Sequence, residues 1–124
     1  MLFRSRNFGI SIGHCDTDNI MRFNTVVDSG KVGILFRDDA RGKDFWANRN
    51  VIEDNKIINS GAADGIGILI EGQTRDTQVR NNVIIEKRGP MNRIAIKIQK
   101  DVGNLKLESN TIEGYNNTVV DKRQ

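Results

Sequence analysis

Asn82-Val83-Ile84 decides the fold, because the same triplet recurs along the chain. Asn24-Thr25-Val26, Asn55-Lys56-Ile57 and Asn110-Thr111-Ile112 repeat its form: an asparagine, one free position, then a β-branched residue. An apolar residue stands three positions before each asparagine: Met21, Ile52, Val79 and Leu107. Further upstream an alternating apolar stretch ends at Ile12, Phe36, Ile70 and Ile98. The asparagines are 31, 27 and 28 residues apart. From stretch end to asparagine the steps are 12, 19, 12 and 12, so the second unit carries seven extra residues. A period of this size marks stacked supersecondary units. The leucine signature of leucine-rich repeats is missing, and helical repeats need longer amphipathic runs. Ile10-Ser11-Ile12, Ile68-Leu69-Ile70 and Ile94-Ala95-Ile96-Lys97-Ile98 alternate instead, which means strands with one buried face.

Each unit therefore reads as one coil of an all-β parallel solenoid. A first strand carries the Ile-x-Ile pair. A second strand buries the residue three before the asparagine. The asparagine turns the chain, since it tolerates the left-handed backbone better than other non-glycine residues. A third strand begins at the β-branched residue, and Gly30, Gly61 and Gly89 lead to the next coil. Stacked coils put like residues in columns about 4.8 Å apart. Ile12, Phe36, Ile70 and Ile98 form one such column, and Val26, Ile57, Ile84 and Ile112 another. Asn24, Asn55, Asn82 and Asn110 then form a hydrogen-bonded asparagine ladder. Arg22, Glu53, Arg80 and Glu108, two before each asparagine, alternate in sign on the outer face, where opposite charges on neighbouring strands attract.

The bulk properties bound the rest. A length of 124 residues suits one domain over 1–124. Nineteen basic and 16 acidic side chains leave a net charge of +3, too mild and too scattered to point to nucleic acid. No run of roughly 18 apolar residues is present to span a membrane. The chain start lacks the apolar core of a signal peptide. The single Cys15 excludes an internal disulfide.

Gly9-Ile10-Ser11-Ile12, Gly33-Ile34-Leu35-Phe36, Gly67-Ile68-Leu69-Ile70 and the four Asn triplets resemble the right-handed parallel β-helix proteins of the pectate-lyase-like superfamily, over roughly residues 7 to 120. The resemblance implies a right-handed parallel β-helix of about four coils. It also implies a carbohydrate-directed role, as a lyase, hydrolase, epimerase or binder, and a secreted or periplasmic, bacterial or viral setting. Such proteins cover their ends. No capping helix is visible here, so Met1 is expected inside a longer gene product, of which this chain is the C-terminal part. A non-catalytic structural or adhesive β-helix is the alternative, and self-association through an uncapped end is a further expectation. Gly9-Ile10-Ser11-Ile12-Gly13 is similar to a polygalacturonase strand. Phe8 stands where that family has its histidine, however, and Cys15-Asp16-Thr17-Asp18 does not reproduce its aspartates, which argues against that activity. Calcium is implied only through pectate lyases, which bind it with carboxylates on neighbouring coils.

Register points to the mouth after the first strands as the candidate site. Gly13, Arg37, Glu71 and Gln99 form one column there, and His14, Asp38, Gly72 and Lys100 the next. His14 beside Asp38 is a candidate general-base pair with Arg37 nearby, although a lone His beside an Asp is more often a surface pair. Arg37 beside Glu71 reads as an ion pair or a substrate clamp. The insertion within residues 37–49 holds Arg41 and the single tryptophan, Trp46. Trp46, Arg41 and Glu71 are the candidate sugar-binding residues, since sugar rings stack on aromatic faces and arginines grip carboxylates. The bland alternative folds Phe45 and Trp46 back over Leu35 and Leu69. No metal-ligand motif occurs.

Overall fold

The computed structural model describes residues 2–3, 7–13, 17–37, 46–62, 64–89 and 91–123, with residues 2 and 3 described as backbone only. Strand β1 (Leu2–Phe3) precedes four coils of three strands each. The first coil is β2 (Phe8–Ile12), β3 (Ile20–Arg22) and β4 (Thr25–Val27). The second is β5 (Val32–Phe36), β6 (Val51–Glu53) and β7 (Lys56–Ile58). The third is β8 (Ile66–Ile70), β9 (Thr77–Arg80) and β10 (Val83–Ile85). The fourth is β11 (Ile94–Ile98), β12 (Leu105–Glu108) and β13 (Thr111–Glu113), after which β14 (Asn117–Asp121) begins another. Equivalent strands pair in parallel into three sheets: β2-β5-β8-β11-β14, β3-β6-β9-β12 and β1-β4-β7-β10-β13. The described residues contain no helix, and the fold is a parallel β-helix.

The columns fall where the repeat places them. Ile12, Phe36, Ile70 and Ile98 are mutual neighbours in the first sheet. Val26, Ile57, Ile84 and Ile112 are neighbours in the third. With Ile34, Ile68, Ile96, Ile52 and Val79 they fill the interior, nearly all without solvent contact. Each such side chain contributes roughly 1.5–3 kcal/mol, but only once a neighbouring coil covers it.

The asparagine ladder is continuous. Backbone N–H groups of Asn24, Asn55 and Asn82 donate to Oδ1 of the next asparagine in the column, at 3.0, 3.0 and 3.1 Å. Nδ2 of Asn55 and Asn82 donates to that same oxygen, at 3.1 and 3.0 Å. The second Nδ2 bond runs backwards, to the carbonyls of Met21, Ile52 and Val79 in the preceding coil. Those are the apolar residues three before each asparagine, so the amide locks second strand to third.

The left-handed residue is not the asparagine. It is the residue before it: Phe23, Asp54, Asn81 and Ser109, with φ of 58°, 55°, 56° and 54°. All four are exposed on the outside of the bend, whereas the asparagine must face inward to reach its neighbours. The third strand likewise begins one residue earlier than the β-branched position, which is its inward centre. A second column of left-handed corners, Asp18, Arg49 and Asp76, precedes the second strands.

The glycine of Gly-Ile-x-Ile has a steric cause. A Cβ on Gly33 would lie 2.5 Å from the Gly67 carbonyl oxygen and 2.6 Å from Ile57 Cγ2. On Gly67 it would lie 2.6 Å from the Ala95 oxygen and 2.8 Å from Ile84 Cγ2. The first strand bends here against the third sheet, and only a hydrogen fits.

Candidate functional site

The mouth after the first strands is built by backbone pairing continued past the strand ends. Arg37 N donates to Ile12 O at 2.7 Å, Glu71 N to Phe36 O at 2.9 Å, Gln99 N to Ile70 O at 3.0 Å and Lys122 N to Ile98 O at 2.8 Å. The expected column Gly13, Arg37, Glu71, Gln99 is thus present, and Lys122 extends it. Gly13 leaves the space that the Arg37 guanidinium takes: a Cβ there would be 2.7 Å from Nε and 2.9 Å from Nη2. Arg37 and Glu71 stand in adjacent coils, as expected. His14, Asp38 and Arg41 lie outside the described residues. Trp46 is half-buried and precedes Ala47, a core residue. Leu35 is 5% exposed although it alternates with the inward Ile34 and Phe36, so more than its own strand covers it.

Three lysines collect at the C-terminal end of this edge. Lys97 lies on the outer face of β11 between Leu69 and Val120. Lys122 follows β14 beside Gln99, and Lys100 is exposed in the turn after β11. Among the described residues no carboxylate lies in salt-bridge range of any of the three. The repeat did not reveal this group, because it joins residues 97 and 122 across two coils.

Elsewhere some charges pair between coils and others within one. Glu53 sits between Arg22 at 3.8 Å and Arg80 at 2.8 Å, as the alternating column predicts. Glu108 turns instead to Lys106 of its own strand, at 3.0 Å. Arg49 grips both oxygens of Asp18, at 2.7 and 3.0 Å. That hydrogen bond lowers the Asp18 pKa and raises that of Arg49. Arg123 holds the Asp121 carboxyl down to about 2 and donates to the Gly103 carbonyl at 3.0 Å.

A buried ionic cluster occupies the exit of β10. The Glu86 side chain has no solvent exposure. Arg88 forks onto both of its oxygens at 2.8 and 2.9 Å, and the Arg88 N–H adds a bond of 3.0 Å. The buried Arg93 approaches at 3.3 Å and also donates to the carbonyls of Ala62 and Gly89. Burial pushes the Glu86 pKa up, but the hydrogen bonds and charge of Arg88, with Arg93 behind them, pull it below its ordinary value. Beside it Tyr115 is pushed up to about 12, by burial first and then by Glu86. A carboxylate saturated by two arginines is no base; it ties the third coil to the loops around it.

Among the described residues no three His, Cys, Asp or Glu side chains converge on a metal position. Of the carboxylates that bear on calcium at the mouth, only Glu71 is described, and a hard cation needs several converging oxygens. The second asparagine pair, Asn19 N to Asn50 Oδ1 at 2.9 Å, was legible in its spacing of 31 residues, the same as Asn24 to Asn55. No protein-family description, curated protein or solved structure matches this chain.

Proposed function

We propose that this chain is part of a carbohydrate-directed parallel β-helix protein of the pectate-lyase-like kind, and that it holds a polyanionic glycan along the edge where the first strands end. The observation behind the reading is the lysine group. Lys97, Lys100 and Lys122 have no described carboxylate in salt-bridge range, whereas Asp121 beside them is held by Arg123. The lysines stand in neighbouring columns on two adjacent coils, which the parallel sheet holds about 4.8 Å apart, so their cations face an extended polyanion together. Arg37, Glu71 and Gln99 continue the edge, with Trp46 and Arg41 as further binding residues. His14 and Asp38, with Arg37, are the residues we assign to any bond-breaking step.

Retardation in gels containing polygalacturonate, alginate or a neutral glucan tests this. Expected is retardation by the polyuronates alone, lost in Lys97→Glu/Lys122→Glu and weakened by salt. Equal mobility in all three gels refutes it. Release of uronide products, compared between the parent chain and His14→Ala or Asp38→Ala, separates catalysis from holding.

The second reading is a structural spacer. The coil-to-coil pairs Arg22–Glu53–Arg80 and Asp18–Arg49 favour it, since they spend their charges on the stack itself. It predicts no retardation in any gel.

A further inference from the structure

The outer corner between the second and third strands carries one residue that its own conformation disfavours. Every coil turns through the left-handed region there, at Phe23, Asp54, Asn81 and Ser109. Aspartate and asparagine accept that conformation readily, whereas a bulky side chain in it is an outlier. Phe23 holds a φ of 58°. Burial does not offset the strain, because Phe23 is 67% exposed. The openness belongs to the corner rather than to the first coil: Asp54 and Asn81, at the same place in the second and third coils, are exposed as well. Strain that burial does not offset points outward, to a ligand. Three side chains meet there. The Arg22 guanidinium lies over the Phe23 ring, 5.4 Å from its centroid. It reaches Glu53 only at 3.8 Å, while Arg80 holds that carboxylate at 2.8 Å. Asp54 stands at the same corner one coil on, about 4.8 Å along the stack. Among the described residues no cation or hydrogen-bond donor holds its carboxylate. Arg22 and Arg80 balance Glu53 and Asp54, so the corner has no net charge.

From these we infer that the corner binds a neutral galacto-configured sugar ring, at a site separate from the lysine edge. An aromatic ring takes the C–H face of a pyranose, and Phe23 offers a single such plate. A sugar with one axial ring hydroxyl, as in galactose, leaves the opposite face with C–H bonds alone. A gluco-configured ring splits its hydrogens between both faces and stacks less well on one plate. The axial hydroxyl and its cis neighbour then donate to the two oxygens of the Asp54 carboxylate, which only accepts. Arg22 keeps the Phe23 ring in place from its other side. A uronate does not suit the corner, since its carboxylate would face Asp54 and Glu53. A single ring on a convex corner buries little of its ligand, so the dissociation constant is on the order of millimolar.

The probe is methyl β-galactoside, titrated into the isotope-labelled whole chain and followed by amide nuclear magnetic resonance. Saturable shifts are expected around Phe23 and Asp54. Methyl β-glucoside and galacturonic acid should each bind about fivefold more weakly or worse. Phe23→Asn should weaken the galactoside more than about tenfold, through the lost stacking face. Asparagine suits the left-handed corner, so this variant should fold and melt at or above the parent temperature. Asp54→Asn should weaken binding roughly fivefold, because an amide accepts at one atom only. Lys97→Glu/Lys122→Glu should leave galactoside binding unchanged, so that this site and the polyanion edge stand or fall separately. The inference is overturned by absent saturation, by shifts that cluster elsewhere, by an equal response to the glucoside, or by intact binding in Phe23→Asn. A marked fall in the melting temperature of Phe23→Asn overturns it too, since the fold itself would then be using the ring.

Discussion

Asn82→Ala measures the strength of the ladder. Asn82 has no solvent exposure, and its amide makes four contacts. Oδ1 accepts from Asn55 N at 3.0 Å and from Asn55 Nδ2 at 3.1 Å. Nδ2 donates to Ile52 O and to Asn110 Oδ1, each at 3.0 Å. Truncation does not orphan every partner, because Asn55 Nδ2 keeps Met21 O and Asn110 Oδ1 keeps the Asn82 backbone N–H. The Asn55 N–H and the Ile52 carbonyl each lose a bond inside the stack. At about 1–3 kcal/mol per buried group left wanting, the cost is about 2–6 kcal/mol. That is a large share of the roughly 5–15 kcal/mol that holds an ordinary domain together. Asn24→Ala is the internal control. Its side-chain amide makes no bond to a described residue, while its backbone N–H still reaches Asn55, so the loss should stay under about 1 kcal/mol. Asn82→Asp keeps the acceptor but turns a carboxylate toward two oxygens, so its penalty should grow as pH rises through the carboxylate range. Urea unfolding followed by far-ultraviolet circular dichroism reads all three. A similar loss for Asn24→Ala and Asn82→Ala, or a loss under about 1 kcal/mol for Asn82→Ala, refutes the ladder as a source of stability.

Gly67→Ala should lower stability by about 1–3 kcal/mol in thermal melts, because the new methyl meets the Ala95 carbonyl and Ile84 at well under contact distance. Glu86→Gln should cost about 3–5 kcal/mol, since the buried Arg93 loses its counter-charge. Its pH profile carries the sign: the Glu86 pKa is lowered on folding, so the parent chain loses that stability as pH falls below about 4.5, and the glutamine variant has no such step. Tyr115→Phe should be neutral or stabilising at pH 7, because the buried hydroxyl has no hydrogen-bond partner among the described residues. The Tyr115 pKa is raised on folding, so the parent should lose stability as pH climbs from 10 towards about 12, and the phenylalanine variant should lose less over that range, as urea midpoints taken across it will show.

The repeat was legible because in a solenoid every long-range contact is also a fixed interval along the chain. Ile57 touches Ile84 for the same reason that Asn55 touches Asn82: both pairs are one coil apart. Columns, ladder, sheet membership and the alternating charges therefore follow from counting residues. Counting could not say which residue at the corner takes the left-handed conformation, because Asn81 and Asn82 have similar local preferences and only the inward aim of the amide separates them. Nor could it explain Gly33 and Gly67, whose missing Cβ answers to the sheet on the far side of the coil. The ionic cluster of Glu86, Arg88, Arg93 and Tyr115 occurs in one coil alone, so no period announces it. Of the edge lysines, counting placed Lys100, whereas Lys97 and Lys122 join it from a different column and a different coil. A repeating sequence states what each coil shares with the next, whereas binding and irregular charge pairing arise where a coil differs, and those differences acquire neighbours only once the chain is wound.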